Sequence, residues 1–308
     1  MAHHHYRNLD DVNVVLPPSA VLRWQKERFG KKRDHSYIMP QATEKEHEFL
    51  AANRAEPTLT WVGHTTFLLQ LDGFNLLTDP VWAGRMGFHR RLAQPGLALE
   101  DLPPIDAILI SHNHYDHLHL DTLRRLGRGI PIFVPAGLAA WLRAKGFSCV
   151  QELSWWETAV LGKLHLHFVP AQHWSRRLLW DTNHSHWGGW VLQSAAGPTV
   201  YYAGDSGYFR GFAEVGRRFS IDYFLAPTGA YEPSWFMQTQ HASPEQAVQA
   251  YLDCGARFFL PMHHDAFPLG DETTLETLDR LKAAWQQRSL PPDALKLPLL
   301  GETLRLTW

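Results

Sequence analysis

The alternation of apolar and polar positions changes character near residue 57. Residues 1–56 are polar, interrupted by Pro17-Pro18, with a basic middle and an acidic stretch over 44–49. They read as an arm with one short helix packed on the main body. From 59 onward, short strand-like runs follow at 59–62, 67–71 and 74–78, with Asp72-Gly73 marking a hairpin turn between the last two. Residues 105–110 are continuously apolar after Pro103-Pro104, the pattern of a strand buried on both faces. Further strands are predicted at 132–134, 164–169, 190–193 and 199–202, with helices at 119–126 and 138–145.

The second half alternates more clearly. A helix over 212–219 precedes a strand over 223–226. Ser243-Pro244-Glu245-Gln246 supplies a serine cap and a proline at the first helical position, opening a helix that ends near Gly255. A strand at 258–261, a helix at 272–287 and a strand at 304–306 complete the chain. Short strands in both halves with helices between them imply an α/β fold of two packed sheets with helices outside. No repeat, low-complexity tract or linker divides the chain, so 57–308 reads as one domain carrying the 1–56 arm.

Composition narrows the function classes. The 308 residues carry a formal charge of −2, which gives no bulk attraction to nucleic acid or to an anionic membrane. Two cysteines, Cys149 and Cys254, suit a reducing compartment. No run of eighteen apolar residues and no signal-like N-terminus occur, so the expectation is a cytoplasmic protein with peripheral contact at the inner membrane face. Oligomeric state leaves no mark on the sequence. Two counts stand out: 19 histidines and 13 tryptophans. His3-His4-His5 at the N-terminus are set aside from the site.

The histidines cluster where chemistry would use them. His112-x-His114-x-Asp116-His117 follows the buried strand directly. Imidazole nitrogens and carboxylate oxygens are ligands for zinc, and manganese or iron fits the same set. Two histidines can hold one divalent ion while the Asp-His pair holds a second. Further ligands would come from His173, Asp205 and His263, each placed just after another strand, with His264 competing for the last position. His165 and His167 alternate along a strand, and His184 and His186 lie in a polar loop; none of these reads as a ligand.

A ligand order of His-x-His-x-Asp-His, then His, Asp and His, resembles the metallo-β-lactamase superfamily, which implies a four-layer αββα sandwich. The resemblance implies that His112, His114 and His173 hold one metal, that Asp116, His117 and His263 hold the other, and that Asp205 bridges them. Longer stretches are similar to the N-acylphosphatidylethanolamine-hydrolysing phospholipase D family: 102–117, Trp61-Val62-Gly63-His64-Thr65-Thr66, Thr78-Asp79-Pro80, Pro170-Ala171-Gln172-His173-Trp174, and 229–237 continuing to Gln240-His241.

That family cleaves a phosphodiester to phosphatidic acid and an N-acylethanolamine, by attack of a hydroxide held between two metals. Asp116 is then catalytic as well as a ligand. His241 is the candidate to orient the phosphate or protonate the leaving oxygen. Tyr115, Gln240 and Trp235 are candidate substrate contacts, and His64 and Asp79 candidate supports of the ligands. Tryptophans between elements (155, 156, 174, 180, 187 and 235) suit an apolar groove for acyl chains beside the metals. Arg176 and Arg177 are available for a membrane surface. Lactone hydrolysis, another phosphodiester, or a non-catalytic lipid-binding module are the competing readings.

Overall fold

A computed structural model describes residues 5–308, so His3 and His4 lie outside the described residues. Two mixed sheets lie face to face, with helices on the outer side of each.

The first sheet forms from β1 (Thr58–Gly63), β2 (Thr66–Leu71), β3 (Phe74–Thr78), β6 (Ala107–Leu109), β7 (Ile132–Pro135), β8 (Val150–Leu153) and β15 (Thr303–Arg305), in the order β15-β1-β2-β3-β6-β7-β8. A two-stranded ribbon, β4 (Arg85–Met86) and β5 (His89–Arg90), stands apart from it. The second sheet comprises β9 (Thr158–Leu161), β10 (Leu164–Val169), β11 (Gly189–Gln193), β12 (Thr199–Tyr202), β13 (Tyr223–Pro227) and β14 (Phe258–Met262), paired in sequence from β14 back to β9.

Period-two alternation explains the layering. Along β2 and β6, Phe67, Leu69, Ala107 and Leu109 enter the core between the sheets. Their neighbours Leu68, Ile108 and Ile110 enter a second core on the opposite face. That outer core is closed by α2 (His47–Ala52), α3 (Leu120–Leu126) and α4 (Ala139–Ala144) through Leu50, Leu123 and Leu142. The other sheet is covered by α5 (Gly211–Arg218), α7 (Pro244–Cys254) and α8 (Thr274–Gln287), which bring Phe212, Val248 and Leu281 to the core. Both sheets are therefore buried on both faces, as their continuously apolar strands require. Ser243 caps α7 with Gln246 reaching back to it, the reciprocal pair that its sequence implies.

Strand direction sets the position of the site. β3, β6, β7 and β8 run parallel, and β1 shares their direction because each of β1 and β3 pairs antiparallel with β2. In the second sheet β10 shares the direction of β12, β13 and β14. The carboxyl ends of strands from both sheets thus meet at one edge, where α/β sheets commonly place ligands.

Several elements differ from the sequence expectation. The strand expected over 105–110 is reduced to Ala107–Leu109. The arm holds an eleven-residue helix, α1 (Pro18–Arg28), that the pattern did not indicate, and none of its residues is buried. Its helical signal is weak because no apolar stripe enters the core. β8 and β9 were also not anticipated, since two positions of β8 and three of β9 are exposed or half-exposed at the edge of their sheets.

Candidate metal centre

Each ligand-type side chain leaves the carboxyl end of a strand. The 112–117 cluster follows β6, His173 follows β10, Asp205 follows β12 and His263 follows β14. The loops are tightly set. Gly204 takes φ +64°, and a Cβ there would lie 2.6 Å from the Gly188 carbonyl and 2.8 Å from Ser111 Cβ. Only glycine lets the Asp205 loop approach the Ser111 loop so closely. His64, Asp79 and His263 adopt φ of 55°, 32° and 63°, left-handed values that side-chain-bearing residues reach at a cost of about 1–3 kcal/mol each. Strain of this kind gathers where chemistry dictates geometry.

Two groups of donor atoms result. In the first, His114 Nδ1 lies 2.8 Å from His112 Nε2 and 3.2 Å from His173 Nε2. Three ring nitrogens facing one another cannot all be paired by protons, whereas one cation satisfies them. Their spacing is near the roughly 3.3 Å expected between nitrogens bound tetrahedrally at about 2.0–2.1 Å. The second group contains Asp116, His117, His263 and His64. Asp205 Oδ2 lies between the two, 3.2 Å from His117 Nε2, 3.0 Å from His263 Nε2, 3.8 Å from His173 Nε2 and 4.0 Å from His112 Nε2.

Unpartnered buried atoms complete the fit. His117 Nε2, His263 Nε2 and Asp205 Oδ1 are all sequestered from solvent without a hydrogen bond. Such atoms are costly unless a ligand takes them. The cluster can hold metal.

Hydrogen bonds behind these side chains fix which nitrogen faces inward. His117 Nδ1 donates to Asp79 Oδ2 at 2.7 Å, and His173 Nδ1 donates to the Gln240 carbonyl at 3.0 Å. Asp79 also accepts from Ser111 N at 2.7 Å, Ser111 Oγ at 2.5 Å and Tyr202 OH at 2.5 Å. His64 Nε2 lies 3.1 Å from Asp116 Oδ2 and orients that carboxylate. Asn8, from the arm, was not anticipated in any role. It donates to the His173 carbonyl at 2.9 Å, accepts from the His173 amide at 3.0 Å and accepts from Trp187 Nε1 at 3.0 Å. Nothing in the sequence around Asn8 announces a partner 165 residues away.

Electrostatics follow from burial and the two carboxylates. Burial pushes His64, His114 and His173 down to about 3, and His112 well below the ordinary histidine range. Burial opposes charge on His117 and His263 too, but Asp205 and Asp116 overcome it. His117 is raised well above its ordinary value, and His263 is raised to about 9. Burial would lift Asp205 and Asp116, but chiefly His117 holds both well below the usual carboxylate range. Protons on His117 and His263 thus occupy the position that metal ions would take in neutralising the carboxylates.

The remaining sequence candidates fall into three groups. His241 and Gln240 border the centre: His241 Nδ1 is 3.9 Å from Asp205 Oδ2. Tyr115 is half-exposed, its hydroxyl donating to the Arg177 carbonyl at 3.0 Å, and Trp235 donates to Glu27 at 3.2 Å on α1. Neither Tyr115 nor Trp235 lines the groove beside the centre. His264 is buried against Trp61, outside both donor groups.

That groove has a volume of about 740 Å³ and is mainly apolar. Its floor is His114, Asp116, Asp205, His241 and His263. Trp174, Phe236 and Met237 form one wall, and Val14, Val21 and Trp24 of the arm form the roof. Of the other tryptophans, Trp187 is fully buried, Trp155 donates to its carbonyl, Trp156 lies under Arg218 and Trp180 is exposed. Of the tryptophans named from the sequence, Trp174 alone lines this groove, joined by Trp24.

A family model for the β-lactamase superfamily domain matches residues 74–264. The chain belongs to the metallo-β-lactamase superfamily and is a metal-dependent hydrolase with the αββα fold. Within it, the chain is similar to an N-acyl-phosphatidylethanolamine-hydrolysing phospholipase D of Caenorhabditis elegans, 37% identical over 249 residues covering 74% of this chain and 70% of the worm protein. The mitochondrial protein of that description from Saccharomyces cerevisiae is 35% identical over 258 residues. That match covers 79% of this chain and 55% of the yeast protein. A possible metal-dependent hydrolase from Veillonella parvula shares the fold at a TM-score of 0.69 and 18% identity, covering 82% of this chain and all of that one.

Proposed function

We propose that this hydrolase is a phosphodiesterase of phospholipase D type that releases N-acylethanolamine and phosphatidic acid from N-acylphosphatidylethanolamine. The observation that carries the reading is the large apolar groove opening directly onto the Asp116–Asp205 carboxylates. A diacyl phosphodiester needs such a neighbourhood, with a charged floor for phosphate and apolar walls for chains. The worm and yeast relatives act on this substrate by their descriptions.

His112, His114 and His173 would hold one metal and Asp116, His117 and His263 the second, with Asp205 available to both. Zinc suits these ligands, as do manganese and iron. Metal at this site supplies a water ionised near neutral pH and positive charge against the phosphoryl oxygens. The protein's own groups do the positioning. Asp79 and the Gln240 carbonyl keep His117 and His173 in the tautomer that presents Nε2, and His64 holds Asp116. Burial keeps His241 well below its ordinary pKa, so it is neutral at pH 7. It therefore acts as a hydrogen-bond donor orienting the phosphate rather than as a proton source. Exposed Leu179 and Trp180, beside Arg176, and exposed Leu22 and Phe29 on and after α1 offer peripheral contact with a lipid surface. No described helix is long and apolar enough to cross a membrane.

The test is incubation of metal-replete protein with N-acylphosphatidylethanolamine, with both products followed by mass spectrometry and Asp205→Ala as control. Turnover that disappears in the variant supports the assignment. Absence of turnover with two metals bound per chain removes the lipid assignment and directs the search to lactones and other phosphodiesters.

A further inference from the structure

The groove carries a charge that the reaction itself does not require. Among its lining residues Arg176 is the only lysine or arginine. Its guanidinium lies over the Trp174 ring at 4.9 Å, and Trp174 in turn meets the His114 ring edge-on at 4.7 Å. The cation is therefore two ring contacts from a proposed metal ligand. Arg176 is exposed, and no carboxylate lies within 4.0 Å of it among the described residues.

Arg177, next in the chain, makes the contrast plain. Its guanidinium donates to the Asn113 carbonyl at 2.8 Å and the Leu118 carbonyl at 2.7 Å, and it stacks on Tyr115 at 4.1 Å. Arg177 thus ties the metal-binding loop together and is not available for a lipid surface as the sequence suggested. The charge of Arg176 is uncommitted.

We infer that Arg176 is a specificity-determining residue that selects phosphodiesters without a cationic headgroup and rejects zwitterionic ones. The inference rests on the phosphodiesterase reading above. N-acylation removes the ammonium of an ethanolamine headgroup and leaves the phosphate as its only charge. An ammonium or quaternary amine carried into the groove meets the Arg176 guanidinium, and repulsion between like charges discriminates as effectively as attraction. The aromatic ring beneath does not reverse the preference, because its face is already covered by Arg176. Long, flexible and exposed, the side chain can follow the headgroup; no other lysine or arginine lines the groove.

Soluble substrates separate this role from membrane attraction. Metal-loaded protein is assayed on bis(4-nitrophenyl) phosphate, on 4-nitrophenyl phosphorylcholine and on a neutral lactone, with metal content and Tm measured for every variant. The wild type favours the anionic diester over the choline diester in kcat/KM. Arg176→Gln lowers that ratio by about tenfold, in line with a single screened charge interaction. Arg176→Lys keeps most of the ratio, and Arg176→Glu reverses it. An unmoved ratio in Arg176→Gln and Arg176→Glu, with metal content intact, overturns the inference while diester cleavage upholds the phosphodiesterase reading. Weaker binding of the Gln variant to anionic vesicles with an unmoved ratio also overturns it, making Arg176 a membrane contact. Wild type that opens the lactone but cleaves neither diester removes the phosphodiesterase reading itself, and the inference with it.

Discussion

Asp79 receives four hydrogen bonds, from the Ser111 amide, the Ser111 hydroxyl, Tyr202 and His117, and is fully buried. Asp79→Ala strands several of those donors. We expect a loss of about 3 kcal/mol or more, since each buried unpaired group costs roughly 1–3 kcal/mol. Metal affinity should fall by about 10–100-fold, because His117 loses the partner that sets its tautomer. Chemical denaturation and competition with a chelating dye measure the two effects. His241 predicts the opposite separation. His241→Ala should keep both metals and lower kcat by about 10²-fold, the usual effect of removing one transition-state donor; loss of metal instead would make it a ligand. The residues that gather at the centre were legible because each follows a strand end in a recognisable order. Asp79 and His64 were read as candidate supports, but not which side chain each holds, since their partners His117 and Asp116 lie 38 and 52 residues away.

At the scale of elements, the sheets were readable and the arm was not. β2, β3 and β10–β14 are apolar enough to announce themselves, whereas α1 has no buried residue and β8 and β9 are short edge strands. Yet the arm supports the centre. Trp24 stacks on Phe236 at 4.8 Å, Arg23 covers Trp235 at 4.0 Å and Arg28 donates to the Pro268 carbonyl at 2.9 Å. Upstream, Asn8 holds the backbone of His173 from both sides. Asn8→Ala should cost about 1–3 kcal/mol for the unpaired amide and carbonyl it leaves buried. It should also weaken metal binding, because His173 loses its fixed position. A stability loss in calorimetry without any change in metal affinity would confine Asn8 to packing.

At the scale of the whole molecule, the centre joins the two sheets. His112, His114, Asp116 and His117 come from the end of β6 in one sheet, and His173, Asp205 and His263 from the ends of β10, β12 and β14 in the other. A ligand that binds only the folded chain stabilises it by about 4 kcal/mol at a thousandfold excess over its dissociation constant. For a domain of this size that corresponds to a Tm change on the order of 10 °C. Removing metal with a chelator should lower Tm by about that amount, and adding zinc should restore it. The apo protein should then show a pH dependence of definite sign. His263 has its folded pKa raised to about 9 from 6.5 by Asp205 and Asp116. Protonated His263 therefore contributes stability that is complete below pH 6.5 and is lost as the pH climbs through 9. Metal competes with that same proton, so metal affinity should rise over the interval in which apo stability falls. Melting curves of apo and zinc-loaded protein between pH 6 and 9.5 should diverge as pH increases. Parallel curves across that range would mean that the His263 proton and the metal do not exchange for one another.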